Sequence, residues 1–112
     1  MITVLFYCTG RPGAEAPLRE LLAEMQRVSR QEDQAVSYTF MQQVDSPREF
    51  ALFEQWRDQA HLGAHVANMK QHFGEPPAGA RLPAKMQALV EKHSHQFYEA
   101  IGSDAIEPAN GV

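Results

Sequence analysis

Between Ala35 and Arg57 the chain runs twice through apolar residues at every second position, and the short stretch Asp45 to Glu49, opening on Asp45-Ser46-Pro47, separates the two runs. A period of two sends alternate side chains to opposite faces of a strand. Asp and Ser bond their own backbone, and Pro presets φ, so Asp45-Ser46-Pro47 favours a turn or short cap. The segment therefore predicts an antiparallel hairpin of one strand over Ala35–Val44 and another over Phe50–Arg57. In the first, Val36, Tyr38 and Phe40 alternate with Ser37, Thr39 and Met41; in the second, Phe50, Leu52, Glu54 and Trp56 share one face, and Ala51, Phe53, Gln55 and Arg57 the other. A lone hairpin is barely stable in water, so the flanking segments must cover its apolar face.

Those segments supply the cover. Ile2 to Cys8 is a continuous β-favouring run closed by Gly10, Pro12 and Gly13, the pattern of a strand buried on both faces. From about Ala14 to Ser29, the residues Leu18, Leu21, Leu22, Met25 and Val28 form one helical stripe, and Glu15, Glu20 and Glu24 keep the other face wet. Pro17 is tolerable there only in the first turn. After the hairpin, Asp58 is placed to cap a second helix with Leu62, Val66, Met69 and Phe73 along one side, ending by Gly74. Glu75 to Gly79 reads as a loop, and a third helical pattern runs from about Pro83 to Lys92 with Leu82, Met86, Leu89 and Val90 on one face. Ser94 to Ile101 reads as the last strand.

The order strand, helix, strand, strand, helix, helix, strand is the split β-α-β unit of a ferredoxin-like α+β fold, with helices over one face of a four-stranded antiparallel sheet. It predicts one domain over residues 1–102 and a tail over 103–112, rich in turn formers, that frays. The uncovered sheet face predicts a homodimer, two sheets stacking into a dimeric α+β barrel across a twofold axis.

Charge and motifs exclude several function classes. Ten basic against fourteen acidic residues give a net charge of −4, with no Lys/Arg cluster to track a phosphate backbone or an anionic membrane, so no nucleic-acid partner is expected. The apolar run at Ile2–Cys8 is far short of the ~20 residues of a membrane helix, so no membrane partner is expected. It also lacks the flanks of a signal peptide, and the expectation is a cytoplasmic protein. Cys8 has no second cysteine to pair with, and its apolar strand suits a small buried hydrophobe rather than a reactive thiolate. Phosphate loop, serine-hydrolase elbow and cysteine cluster are all missing.

Chemically capable residues concentrate between Phe53 and His72. Trp56 ends a strand and His65 lies two turns into the next helix, so the chain reversal would bring indole and imidazole to the rim of one pocket. The indole N–H donates, and an imidazole can donate or accept a proton near neutral pH. Either residue could equally be a packing anchor. Glu54 shares the Trp56 face, and a carboxylate among Phe50, Leu52 and Trp56 must be paired or protonated, as a structural acid or a tuned base. His61, His65 and His72 could line one side of their helix, but the segment reads His-Leu-Gly-Ala-His without the glutamate of H-E-x-x-H, and no metal is expected. His93 and His95 straddle the predicted junction of helix and strand and would point in different directions. Tyr7 and Tyr38 could turn their hydroxyls to a pocket or pack in the sheet.

The sequence resembles the antibiotic biosynthesis monooxygenase family, which includes quinol monooxygenases. The residues that carry the resemblance are Tyr38-Thr39-Phe40, Asp45-Ser46-Pro47, Phe53-Glu54-Gln55-Trp56-Arg57-Asp58 and Ala64-His65, within a match over roughly Ile2 to Phe73. The family typically reads glutamate, any residue, tryptophan, any residue, aspartate, then a histidine on the next helix. The resemblance implies a dimeric barrel that binds flat aromatic compounds and oxidises them with O2 without metal, flavin or haem. It makes His65 the base or proton relay, Trp56 a stacking wall and hydrogen-bond donor, and Glu54 the group that orients one of them. Tyr7, Tyr38, Phe50, Leu52 and Met69 would then line the substrate pocket. A sister group of the same architecture degrades haem with a helix histidine on the iron beside a tryptophan, a pair that His65 and Trp56 resemble. That group's asparagine on the first strand has no counterpart in Ile2–Cys8. A third alternative is a non-catalytic dimer that binds aromatic ligands.

Overall fold

A computed structural model describes residues 1–33 and 35–102. It contains strands β1 (Ile2–Gly10), β2 (Ala35–Gln43), β3 (Ser46–Trp56) and β4 (Val90–Glu99), helices α1 (Glu15–Ser29) and α2 (Gln59–Phe73), and the single turn α3 (Ala84–Gln87). The strands form one sheet in the order β2-β3-β1-β4, and every neighbouring pair is antiparallel. This is the expected ferredoxin-like α+β architecture. The tail expected to fray, 103–112, lies outside the described residues. No described helix is long and apolar enough to cross a membrane.

Register places the chemistry at the centre of the sheet. Glu54 on β3 sits opposite Val4 on β1 and Tyr38 on β2, one residue pair beyond Leu52 with Phe6 and Phe40. Alternation along β3 buries Phe50, Leu52, Glu54 and Trp56 on the helix-covered face, as the sequence pattern requires. The hairpin is tighter than expected: only Val44 and Asp45 join the strands, and β3 starts at Ser46 rather than Phe50. Pro47 is admitted because pairing with β1 stops at Thr9 and Glu49, so its missing N–H interrupts no ladder bond there; its carbonyl accepts from Gln42 Nε2 at 2.7 Å.

The helices pack on the same face. Leu18, Leu22, Met25 and Ser29 form the buried stripe of α1, with Pro17 in its first turn. Asp58 caps α2 as expected, accepting from the backbone N–H of His61 at 2.9 Å. The buried stripe of α2 is Leu62, His65, Met69 and Phe73, whereas Val66 is 44% exposed, so the histidine occupies the core position expected for the valine.

Two expectations are overturned. Val4, Phe6 and Cys8 are buried against the helices, but Tyr7 is 49% exposed on the opposite face, so within one chain β1 is covered on one face only. An unbroken apolar run cannot distinguish cover by helices of the same chain from cover by something else. The third helix stops at Gln87, and Val90 to Lys92 belong to β4, which runs Val90–Glu99 and leaves Ile101 outside the strand. Ladder bonds to the free edge of β1, with Val90 opposite Gly10 and Lys92 opposite Thr9, outweigh the weak helical pattern.

Gly74 ends α2 at φ 98° and ψ 145°, a backbone conformation reserved for glycine. A Cβ there would lie 2.8 Å from the Ala84 Cβ, and the Gly74 carbonyl accepts from the Ala84 N–H at 3.0 Å, which docks α3 against the end of α2. Gly74→Ala is expected to lower stability by about 1–3 kcal/mol. Gly79→Ala, with φ 81° but nothing within 4 Å of the added carbon, should lower it less. Urea midpoints of the two variants compare strain plus clash with strain alone; equal losses would contradict the docking role.

Candidate functional site

A cavity of about 400 Å³ opens between the sheet, α2 and the segment 76–86. Leu52, Phe6, Leu62, Met69 and Met86 make much of it apolar, and Tyr38, Glu54 and His65 bring polar groups to it. Its size and lining suit a flat organic molecule.

Glu54 is 6% exposed and accepts from Trp56 Nε1–H at 2.6 Å. The two residues are i and i+2 on one strand, so alternation alone puts them on one face. His65, 5% exposed, stacks on the Trp56 indole with ring centres 4.5 Å apart and planes 30° apart. The Tyr38 ring meets the imidazole edge-on at 5.2 Å. His65 Nδ1 lies 2.8 Å from Glu32 Oε2, and Nε2 lies 3.8 Å from Glu54 Oε1. A carboxylate can only accept, so Glu32 fixes a proton on Nδ1 and turns Nε2 towards Glu54.

The electrostatics favour proton traffic. Burial pushes the Glu54 carboxyl above the ordinary range; the neighbouring His65 and the Trp56 hydrogen bond pull it partly back, and the Glu32 charge adds to the rise. Burial, then the Glu54 charge, push Tyr38 far up, so it stays a neutral phenol, hydrogen-bonded to Ser29. A buried carboxyl beside an imidazole anchored on a second carboxylate can take a proton from a weakly acidic hydroxyl and spread the resulting charge.

The structure gathers Glu54, His65, Tyr38, Leu52 and Met69 around the cavity. It does not bring Tyr7 there, because that side chain leaves the sheet on the opposite face. Phe50 lies along the sheet beside Leu22 and Gln26 of α1. Trp56 is fully buried behind His65, so it stacks on the imidazole rather than walling the cavity. Burial, then the Glu49 charge, push the Cys8 thiol up to about 12, which removes it as a nucleophile. His61 bonds Asp58 at 2.7 Å, and among the described residues no three His, Cys, Asp or Glu side chains converge as metal ligands.

Sequence reasoning missed Glu32, which lies in the turn after α1, where no periodicity marks it. Only the structure, by placing His65 in the buried stripe of α2, creates the need for a buried partner that Glu32 meets. His93 and His95 also differ from expectation. Both lie on β4, two residues apart and on one face, with ring centres 5.4 Å apart.

Burial first, then the charges of His93 and Arg81, lower His95 from 6.5 to about 4. The folded state therefore takes up that proton less readily than the unfolded chain, and stability present above 6.5 is lost as the pH falls towards about 4. Denaturant midpoints across that window should fall less steeply in His95→Gln than in the wild-type chain; equal slopes would contradict this.

Against known proteins, the sequence profile of the antibiotic biosynthesis monooxygenase family matches residues 1–75, the span that holds β1 to α2 and with them Glu32, Glu54, Trp56 and His65. The chain belongs to the antibiotic biosynthesis monooxygenase family. Its fold is similar to a crystal structure of an antibiotic biosynthesis monooxygenase, with TM-score 0.75 and 22% identity over 91% of this chain and 100% of that one. Protein PA3566 from Pseudomonas aeruginosa superposes with TM-score 0.72 and 22% identity over 90% of this chain and 94% of its own. Rv0793 from Mycobacterium tuberculosis gives TM-score 0.72 and 24% identity over 93% and 98%. No curated protein matches the sequence.

This monooxygenase-family site does not fit the haem alternative. An axial ligand needs Nε2 open to the iron, whereas the Glu54 carboxylate stands 3.8 Å from Nε2, where the iron would have to sit, and the ring is 5% exposed.

Proposed function

We propose that this family member is a cofactor-independent monooxygenase that oxidises a quinol-like or polycyclic hydroxyaromatic compound with O2. The observation that carries the reading is the buried Glu54–His65 pair beside an apolar cavity, with Glu32 holding the imidazole. A neutral hydroxyarene reduces O2 slowly; its anion is far richer in electrons. The protein therefore need only remove the hydroxyl proton, hold the ring flat and keep bulk water away.

The Glu54–His65 pair accepts the proton. The aryl anion gives electrons to O2 and bonds to it at a ring carbon that carries hydrogen. Cleavage of the O–O bond with loss of that hydrogen leaves one oxygen atom as a ring carbonyl and releases the other as water. For a naphthol the balance is arene plus O2 to quinone plus water, all electrons coming from the substrate. Trp56 acts from behind, donating to Glu54 and seating His65. Turnover under ¹⁸O2 tests the reading: one labelled atom in the quinone and one in water are expected, and an unlabelled product would contradict it.

A second copy of the chain completes the proposal. Tyr7, Met41 and Tyr98 are each about half exposed on the face of the sheet away from the helices, and a partner sheet would bury them. Sedimentation equilibrium should report a dimer that a charge placed at Tyr7 weakens; a monomer at all concentrations would contradict it. A cytoplasmic location suits a substrate that must arrive reduced.

A further inference from the structure

Resting on the oxygenase reading of this cavity, we propose that the substrate is an anionic hydroxyaromatic whose carboxylate is held by Arg81 and Lys70 while its hydroxyl meets Glu54 and His65. Both cations line the cavity, Lys70 from the last turns of α2 and Arg81 from the segment between α2 and α3.

Neither side chain makes a hydrogen bond or ion pair with a described residue. That separates Arg81 from the chain's other arginines, all of which engage a partner: Arg11 the Ala88 carbonyl, Arg19 Gln42, Arg27 Glu24, Arg30 the Tyr38 carbonyl, and Arg48 the Gly10 carbonyl, with Arg57 also engaged. Among the described residues, a chain of net charge −4 thus keeps two cations unpaired around one largely apolar cavity. Among the described residues Glu54 is the one carboxylate in its lining. His95 and its neighbour His93 are both held below the ordinary histidine range, by burial above all and also by Arg81, so near neutral pH they add no charge and leave Arg81 and Lys70 as the fixed cations.

The spacing fits a rigid bifunctional ligand. Arg81, His95 of β4 and Glu54 of β3 all line the cavity, and β1 separates β4 from β3, so the cavity spans about 10 Å from Glu54 to the β4 side at the usual strand spacing. Lys70 lies five residues beyond His65 on α2, roughly 7.5 Å along the axis. About two fused rings with a hydroxyl at one end and a carboxylate at the other bridge such a gap, and a guanidinium can grip a carboxylate through two parallel N–H bonds.

Calorimetric titration of the 112-residue protein near neutral pH, with 6-hydroxy-2-naphthoate and 2-naphthol as probes, tests the inference without turnover. The naphthoate is expected to bind about tenfold or more tightly than the naphthol, a preference that shrinks as salt is added. Arg81→Gln combined with Lys70→Gln should abolish the preference and leave naphthol binding unchanged, and Arg81→Glu should reverse it. Equal affinities, a preference that survives the double substitution, or no binding of either probe would overturn it. O2 uptake on uncharged quinols without this preference sinks the carboxylate clamp alone; the preference without O2 uptake on any hydroxyarene keeps the clamp and sinks the oxygenase reading.

Discussion

Replacing His65 by alanine is expected to lower kcat/KM for oxidation of a hydroxyaromatic substrate by about 10²–10⁴-fold, the range for loss of a positioned proton-transfer group. The effect should fall mainly on kcat, because the imidazole acts as the hydroxyl proton leaves and contributes little to holding the rings. Glu32→Gln is a sharper companion. It keeps the shape of the side chain on His65 Nδ1 but removes the charge that steadies a protonated imidazole. We expect a smaller loss in kcat and little change in KM, and, because the Glu32 charge helps to hold the Glu54 carboxyl above its ordinary range, an acid limb of the pH–rate profile moved to lower pH. His65→Ala with normal turnover would remove the imidazole from the mechanism; Glu32→Gln with an unshifted profile would reduce Glu32 to a packing contact.

The largest effect on stability is expected at Trp56. It has no exposed surface, packs against Tyr38 and His65, and donates the hydrogen bond that Glu54 accepts. Trp56→Ala should cost about 3–5 kcal/mol from the lost side chain and the cavity left behind. Removing the donor from a buried carboxylate adds about 1–3 kcal/mol. Against a whole-domain stability of roughly 5–15 kcal/mol, that brings the variant close to unfolding at 25 °C. Trp56→Phe separates the two contributions, since it keeps an aromatic ring and loses only the N–H and part of the volume. It should fold, with Glu54 driven still further above the ordinary carboxylate range because the hydrogen bond that lowers it is gone. Guanidinium denaturation with carboxyl titration by NMR measures both. A stable Trp56→Ala chain, or a Glu54 titration that Trp56→Phe leaves in place, would contradict the account.

Much of the fold was legible in particular residues. Alternation from Phe50 to Trp56 showed which side chains share a face, and Asp58 marked the start of α2 with a cap that the structure contains. The pairing of Glu54 with Trp56 followed from the same alternation, since i and i+2 on a strand must be neighbours.

What was not legible shares one physical cause: it depends on partners distant in sequence. Val90 and Leu89 extend an apolar helical stripe, and only the unpaired edge of β1 makes the segment a strand from Val90 onward. Tyr7 could face either way because Thr3 is the one polar residue of its run before Thr9, too little alternation to set the phase. Glu32 meets His65 across 33 positions, from a turn whose sequence carries no period. Val66 and His65 compete for one place in the α2 stripe, and hydropathy alone favours the valine; the carboxylates on either side of the imidazole decide for His65.

The measurement that bears most directly on the central claim is O2 consumption by chelator-treated protein, confirmed free of haem and flavin by its absorption spectrum. The substrates are reduced naphthoquinols and hydroxyanthracenes, and enzyme-free autoxidation is subtracted. The account predicts uptake well above autoxidation on at least one substrate, reduced at least about a hundredfold in His65→Ala while the variant keeps its fold. Uptake no faster than autoxidation across the panel, or uptake that His65→Ala leaves intact, would contradict it.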